Sequence, residues 1–274
     1  MREAELSYWI NERYSILEKK TTGMVPPWTA DRSMAGVRWC NVHREDDSVT
    51  RWMAREWRYS YMPMWWIVLG RMLNYTPTLN NIISERVAGH ELTLPLISGV
   101  LKARRDRGDK VFTSAYTIST CGKKMDKIDY VLGVVQAFME AGEPEYDSLE
   151  GTFEQITCID GFGSFLAGQV LADCKNTPGH RLCDAPDWHT WCAPGPGSLR
   201  GLNWYFGGAP DCGLVTPGNF QRHIKLAWEQ TSPRINAHIP PIHMQDFQNC
   251  LCEFSKMMRI KHGDKRVRNK YAPN

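Results

Sequence analysis

The stretch Ile159-Asp160-Gly161-Phe162-Gly163-Ser164-Phe165-Leu166-Ala167 sets an apolar residue before a Gly-apolar-Gly step, with Ala four positions after the second glycine. This is the spacing of a helix-hairpin-helix turn: the glycines permit positive φ, and Ala167 lets the second helix pack close. The free backbone N–H groups of such a hairpin, with the positive end of a helix starting near Ser164, form a site for one phosphate oxygen. Gly161, Gly163 and Ser164 are therefore candidate DNA contacts. A Gly-x-Gly turn capping an ordinary helical hairpin would look the same, so the flanking chain has to decide.

Ser148 to Cys158 and Phe165 to Cys174 supply the two helices of the hairpin, which spans 148–174. Before them, Lys127 to Met139 is an apolar helix closed by Gly142 and Pro144, and Leu94 to Lys110 is helical with a basic end that either touches phosphate or faces water. Residues 62 to 90 read as buried helix, rich in Trp, Ile and Leu. Residues 5 to 20 carry Leu6, Trp9, Ile10, Tyr14 and Leu17 on one side, and Thr29 or Asp31 can cap the next element after Pro26-Pro27. Met34 to about Arg58 reads as a second helix whose apolar set is interrupted by Asn41, Arg44, Asp47 and Arg51. Three or four apart, these would share a face, either solvated or forming a polar cluster at a site. After Pro178 periodicity fades, and 183–203 reads as a loop crowded with Asp, His, Trp and Arg, a composition common at functional sites. Residues 218 to 230 and 242 to 260 give two closing helices; Lys261, Lys265, Arg266, Arg268 and Lys270 come next as a DNA-backbone contact or a solvated end. Helices without strands make the chain all-α: one compact domain over 1–274, with room for two lobes.

Composition sets the bounds. The 274 residues are 42% apolar and 23% charged, ordinary for a folded globular protein, and the net charge of +3 leaves room for a basic face without proving nucleic-acid binding. No run of eighteen apolar residues exists and the N-terminus is charged, so neither a membrane span nor a signal peptide is expected, and the protein is expected in the cytoplasm. Nine scattered cysteines read as reduced thiols, and none has the two-residue spacing of a cluster loop. Ser119 to Lys124 lacks the first glycine of a phosphate loop and has Lys124 where Ser or Thr belongs, so no ATP site is visible there.

Four segments carry a closer resemblance: Pro26-Pro27-Trp28-Thr29; Cys40 to Trp52; Asp187-Trp188-His189-Thr190-Trp191 with Gly195 to Asn203; and Leu251-Cys252-Glu253-Phe254-Ser255-Lys256. Together, in this order, they resemble the phage amino-acid:DNA transferases, also called glutamyl- or putrescinyl-thymine pyrophosphorylases. These are a branch of the helix-hairpin-helix DNA glycosylase superfamily, and a related helical domain accompanies the 5-hydroxymethyluracil DNA kinases. The resemblance implies a glycosylase-like helical fold and a double-stranded DNA substrate bearing 5-hydroxymethyluracil whose exocyclic oxygen carries pyrophosphate. The enzyme would replace that pyrophosphate with the amine of glycine, the favoured donor, of another amino acid or of a polyamine, inside a phage-infected bacterium. Nothing in the motifs identifies the amine.

Chemistry on a base requires extruding it from the stack, for which Trp188 and Trp191 are stacking candidates, with core packing as the alternative. In glycosylases with this hairpin a catalytic Asp follows the second glycine by some twenty residues; Asp184 and Asp187 stand 21 and 24 positions past Gly163. The lyase lysine of such enzymes would fall at Phe165, which excludes amine-lyase chemistry from that position. For the leaving pyrophosphate the candidate cations are Arg44, Arg51, Arg200 and Lys256. For the proton of the attacking amine they are Asp187 first, His189 second and Glu253 third. Asn41, Asp47 and Asn203 complete the candidate substrate contacts. Mg2+ suits a pyrophosphate group, although no carboxylate cluster demands it. The competing readings are a base-excising glycosylase and a non-catalytic DNA-binding module.

Overall fold

A computed structural model describes residues 1–59, 63–113, 120 and 122–263. The described residues are helical and contain no strands. The chain divides into two compact units: Met1–Asp47 together with the chain from His189 onward, and Ser48–Trp188. The 183–203 segment thus divides between the units after Trp188.

The first unit is built on α1 (Glu3–Thr21), a short α2 (Arg32–Ala35), α10 (Pro196–Tyr205), α11 (Phe220–Thr231) and α12 (Met244–Lys261). Its core joins Leu6, Trp9 and Ile10 of α1 to Phe220 and Ile224 of α11 and to Phe247, Leu251 and Phe254 of α12, all fully buried. Each such side chain contributes roughly 1.5–3 kcal/mol of burial. Asp31 caps α2 as expected, accepting from the Ser33 N–H at 2.7 Å.

Two segments of this unit differ from the sequence expectation. Residues 36–47, expected to be helix, are extended apart from one tight turn at Arg44–Asp46. The physical reason lies in α12, whose side chains satisfy backbone groups that a helix would have used. The Lys256 Nζ donates to the Arg38 carbonyl. Glu253 accepts from the Cys40 N–H at 3.2 Å, Asn249 donates to the Asn41 carbonyl at 3.2 Å, and Asp246 accepts from the Arg44 N–H at 2.9 Å. These four α12 residues stand at i, i+3, i+7 and i+10, one stripe of a helix, and the arm runs antiparallel to it. Asn41, Arg44 and Asp47 therefore share no helical face.

The second difference is α10, whose Gly- and Pro-rich sequence reads as loop. Pro196 occupies the first helical turn, where its missing N–H costs nothing. The glycines serve close packing: a Cβ at Gly197 would collide with the Cys252 Sγ, and one at Gly201 would collide with the Leu251 carbonyl oxygen. Glycine lets α10 lie directly against the α12 backbone.

The second unit contains α3 (Ser48–Tyr59), α4 (Met64–Leu73), α5 (Thr76–Val87), α6 (Leu94–Asp106), α7 (Lys127–Ala141), α8 (Leu149–Thr157) and α9 (Ser164–Lys175). Asn74, in the left-handed region at φ 46°, separates α4 from α5, so the long apolar run expected over 62–90 is two helices. The apolar α4 packs against α7 and α9. Beneath it Arg71, 1% exposed, is saturated: Nε and Nη2 bond the two Asp173 oxygens at 2.5 and 2.6 Å, Nη2 reaches Thr50 at 3.1 Å, and Nη1 reaches Asn74 at 2.9 Å. The basic end of α6 is tied to the start of α7 by Lys102–Asp129 and Arg105–Asp126 pairs, both at 2.9 Å. No described helix is long and apolar enough to cross a membrane. Of the C-terminal basic cluster only Lys261 lies within the described residues, and Ser119 and Cys121 lie outside them.

Candidate active site

The hairpin turn of the second unit forms between α8 and α9. Gly161 has φ 88°, and a Cβ there would meet Val134 at 2.5 Å, so this glycine is required on both grounds. Gly163, at φ −99°, is extended N-cap backbone rather than a positive-φ residue. Phe162 packs against Phe138 with ring centroids 5.8 Å apart, while Phe165 is 40% exposed on the first turn of α9.

In the 183–188 half of the expected active-site loop, Asp187 and Trp188 bond backbone groups of α8 and α9. Both Asp187 oxygens accept backbone N–H groups at the start of α8, from Leu149 at 2.8 Å and Glu150 at 3.0 Å. Trp188 donates its indole N–H to the Lys175 carbonyl at 2.9 Å, and Lys175 lies 3.8 Å over the Trp188 ring. Arg51, also in this unit, is exposed on α3.

In the first unit, Trp191 is buried, and Asn203 staples a loop by donating to Pro210 and accepting from the Val215 N–H, each at 2.8 Å. His189 and His243 face each other through their Nδ1 atoms at 2.8 Å. Arg200 lies on α10 near Cys252, whose thiol is pushed up to about 12 by burial and then by Glu253. Burial raises the Asp246 carboxyl above its ordinary value, against two backbone hydrogen bonds that lower it.

Where the arm meets α1 and α2, a cavity of about 540 Å³ opens. Its walls include Trp28 and Trp39, with Ile16, Met34 and Val37 as further apolar surface. Each indole is fixed by its N–H, Trp28 to the Met24 carbonyl at 2.6 Å and Trp39 to the Met34 carbonyl at 2.9 Å. Each also carries a lysine: Lys20 lies 4.5 Å over Trp28 and Lys256 lies 4.6 Å over Trp39.

Three cations, Arg13, Lys20 and Arg38, line this cavity. Arg13, on α1, is 5% exposed; its Nε donates to the Cys40 carbonyl at 2.8 Å and its Nη2 donates to the Asn41 side-chain oxygen. Glu253, on α12 behind the arm, accepts from the Cys40 N–H and the Lys256 ammonium with Oε2. Of the sequence candidates, Asn41 accepts from Arg13 and Lys256 bonds the Arg38 carbonyl and Glu253, so these three stand directly behind the cavity wall. Sequence reasoning missed Arg13, Lys20, Arg38, Trp28 and Trp39 as site residues. The signal that could have found them was an arginine in the middle of the apolar stripe of α1, between Ile10 and Ile16.

A family profile described as "5-hmdU DNA kinase, helical domain" matches residues 3–267. The chain belongs to this family. It is similar to a 5-hmdU DNA kinase of Bacillus phage SP10, with 25% identity over 229 residues. The match covers 73% of this chain and 36% of the phage protein, so the shared part is about a third of that relative's length. No solved structure matches. The span matched by the family profile takes in most of both units and every residue of the arm cavity.

Proposed function

We propose that this protein modifies a base in phage DNA as a transferase, replacing the pyrophosphate of 5-pyrophosphoryloxymethyl-uracil with an amine in the infected cell. One observation carries the reading: the arm cavity pairs two fixed indoles with three cations. Its wall includes Pro26–Thr29, a segment that carries the transferase resemblance, and Glu253–Lys256, another such segment, backs it through the Lys256 bonds to the Arg38 carbonyl and Glu253. An extruded pyrimidine needs a π face, and its anionic substituent needs cations. The name of the phage relative, a 5-hmdU DNA kinase, supports 5-hmdU in DNA as the parent base.

In the proposed reaction the amine nitrogen of glycine, another amino acid or a polyamine forms a bond to the exocyclic carbon of the base. The bond from that carbon to the pyrophosphate oxygen breaks, and pyrophosphate leaves with the electron pair. The amine's proton passes to a carboxylate. We assign that role to Glu253, since both Asp187 oxygens already serve the amides of α8, whereas only Oε2 of Glu253 accepts hydrogen bonds among the described residues. Lys256 holds Glu253 and the Arg38 carbonyl together and acts as a positioning residue. The Gly161–Ser164 turn is the proposed backbone contact to DNA. No group of three or more potential metal ligands occurs among the described residues.

The test is mass spectrometry of nucleosides from DNA bearing pyrophosphorylated 5-hydroxymethyluracil, incubated with the protein and a mixture of amino acids and polyamines. A nucleoside whose mass equals the substrate minus pyrophosphate plus one amine is the expected product. Loss of the whole base would instead indicate a glycosylase, and unchanged DNA despite tight binding would indicate a binding module.

A further inference from the structure

We infer that Arg13, Lys20 and Arg38 form a diphosphate cradle that holds the leaving group and retains inorganic pyrophosphate after its release. The inference rests on the proposed function for the origin of the pyrophosphate, but the binding itself requires no turnover.

Arg13 is the central observation. Its side chain is nineteen-twentieths buried, yet Nη1 has no hydrogen-bond partner although two neighbouring donors of the same guanidinium are satisfied. A buried donor on a charged group is costly to leave unpaired, and the arginine that bears it also lines the cavity. Lys20 follows Arg13 by seven residues, two turns of the same helix, which puts both on the cavity side of α1. Arg38 enters from the arm, held by the Lys256 bond to its carbonyl.

The charge balance points the same way. No carboxylate is among the described residues lining the cavity. Glu253 and Asp46 act on Arg13, but burial outweighs them and lowers its pKa. Burial lowers the pKa of Lys20 too, and then repulsion from Arg13 and Arg38 lowers it further, so the three cations are close enough to oppose one another. A single carboxylate would leave this excess largely in place. A diphosphate, with three or more negative charges and a planar pair of oxygens for the guanidinium fork, neutralises it. Ile16, Met34 and Val37 line the same space and strengthen each contact by excluding water.

The probe is inorganic pyrophosphate, titrated calorimetrically into the full chain without DNA, with tryptophan fluorescence read in parallel because Trp28 and Trp39 line the cavity. Saturable one-to-one binding is expected, weakened at least about tenfold by Lys20→Gln and by Arg38→Gln. Both residues are exposed, so these variants keep the fold and carry the test without a change at buried Arg13. Arg13→Lys, which keeps the charge and loses the fork, should weaken binding while circular dichroism stays native. Absence of binding, or binding indifferent to Lys20→Gln and Arg38→Gln, overturns the cradle; tighter binding of ATP than of pyrophosphate reassigns it to a nucleotide and also overturns it. Pyrophosphate binding without any aminated nucleoside would remove the proposed reaction and leave the cradle standing. Aminated product from variants with unchanged pyrophosphate affinity would do the reverse.

Discussion

Two buried arginines, one in each unit, show what saturation means for function. Arg71 spends its donors on Asp173, Thr50 and Asn74 and is locked between α3, α4 and α9. Arg13 is nearly as buried, but it bonds a carbonyl and an amide oxygen, its Nη1 has no hydrogen-bond partner, and the residue lines the cavity. Similar burial therefore supports opposite roles: the paired arginine holds a fold together, while the incompletely paired one is kept for something that arrives. The same contrast separates Asp187, with both oxygens committed to the amides of α8, from Glu253, with one oxygen uncommitted.

The largest effect should come from breaking the saturated pair. Arg71→Met leaves Asp173 charged in the core without its counter-ion and should cost about 3–5 kcal/mol of stability, read as a loss of urea resistance. Arg13→Met should cost clearly less than that, and equal costs for the two would break the comparison.

Next comes pH. His180, 4% exposed, accepts the Leu182 N–H with Nδ1, and burial followed by repulsion from Arg181 lowers its pKa from 6.5 to about 4. A base whose folded pKa is depressed contributes stability above its unfolded value, and that contribution is lost as pH falls from about 6.5 towards 4. The loss should reach at most about 3 kcal/mol, and His180→Gln should flatten the slope of stability against pH in that window. A slope unchanged by the substitution would contradict a neutral buried imidazole.

Glu253→Gln keeps an acceptor for the Cys40 N–H but removes the base, so turnover should fall about 100-fold or more with little change in melting temperature. Asp187→Ala should do the opposite, costing about 1 kcal/mol of stability through the lost cap on α8 while turnover per folded molecule is kept. A turnover collapse in Asp187→Ala with Glu253→Gln active would exchange the roles of the two carboxylates.

These pairs also explain how much of the molecule is legible in its sequence. Helices α1, α7, α8, α9, α11 and α12 follow from local signals: apolar periodicity, Ser148 and Asp126 as caps, Gly142 as a stop. Residues 36–47 are not legible because their backbone is satisfied by α12 side chains some two hundred residues away, which no local pattern encodes. The helix Pro196–Tyr205 reads as loop because Gly197 and Gly201 answer to the α12 surface rather than to turn geometry. The motif segments 26–29, 40–41 and 253–256 mark chain that gathers in one place, at the arm. Which of their residues face the cavity depends on that same unreadable arm, and Arg13 lies outside every motif, hidden in a stripe expected to be apolar.

The most direct measurement runs nucleoside mass spectrometry on pyrophosphorylated DNA with the wild-type protein and Arg38→Gln side by side, glycine supplied as the amine. An aminated nucleoside is expected from the wild type, and at least about tenfold less from Arg38→Gln at equal folded protein. Equal yields from the two would contradict the arm cavity as the active site, and a product lacking the base would contradict the transferase itself.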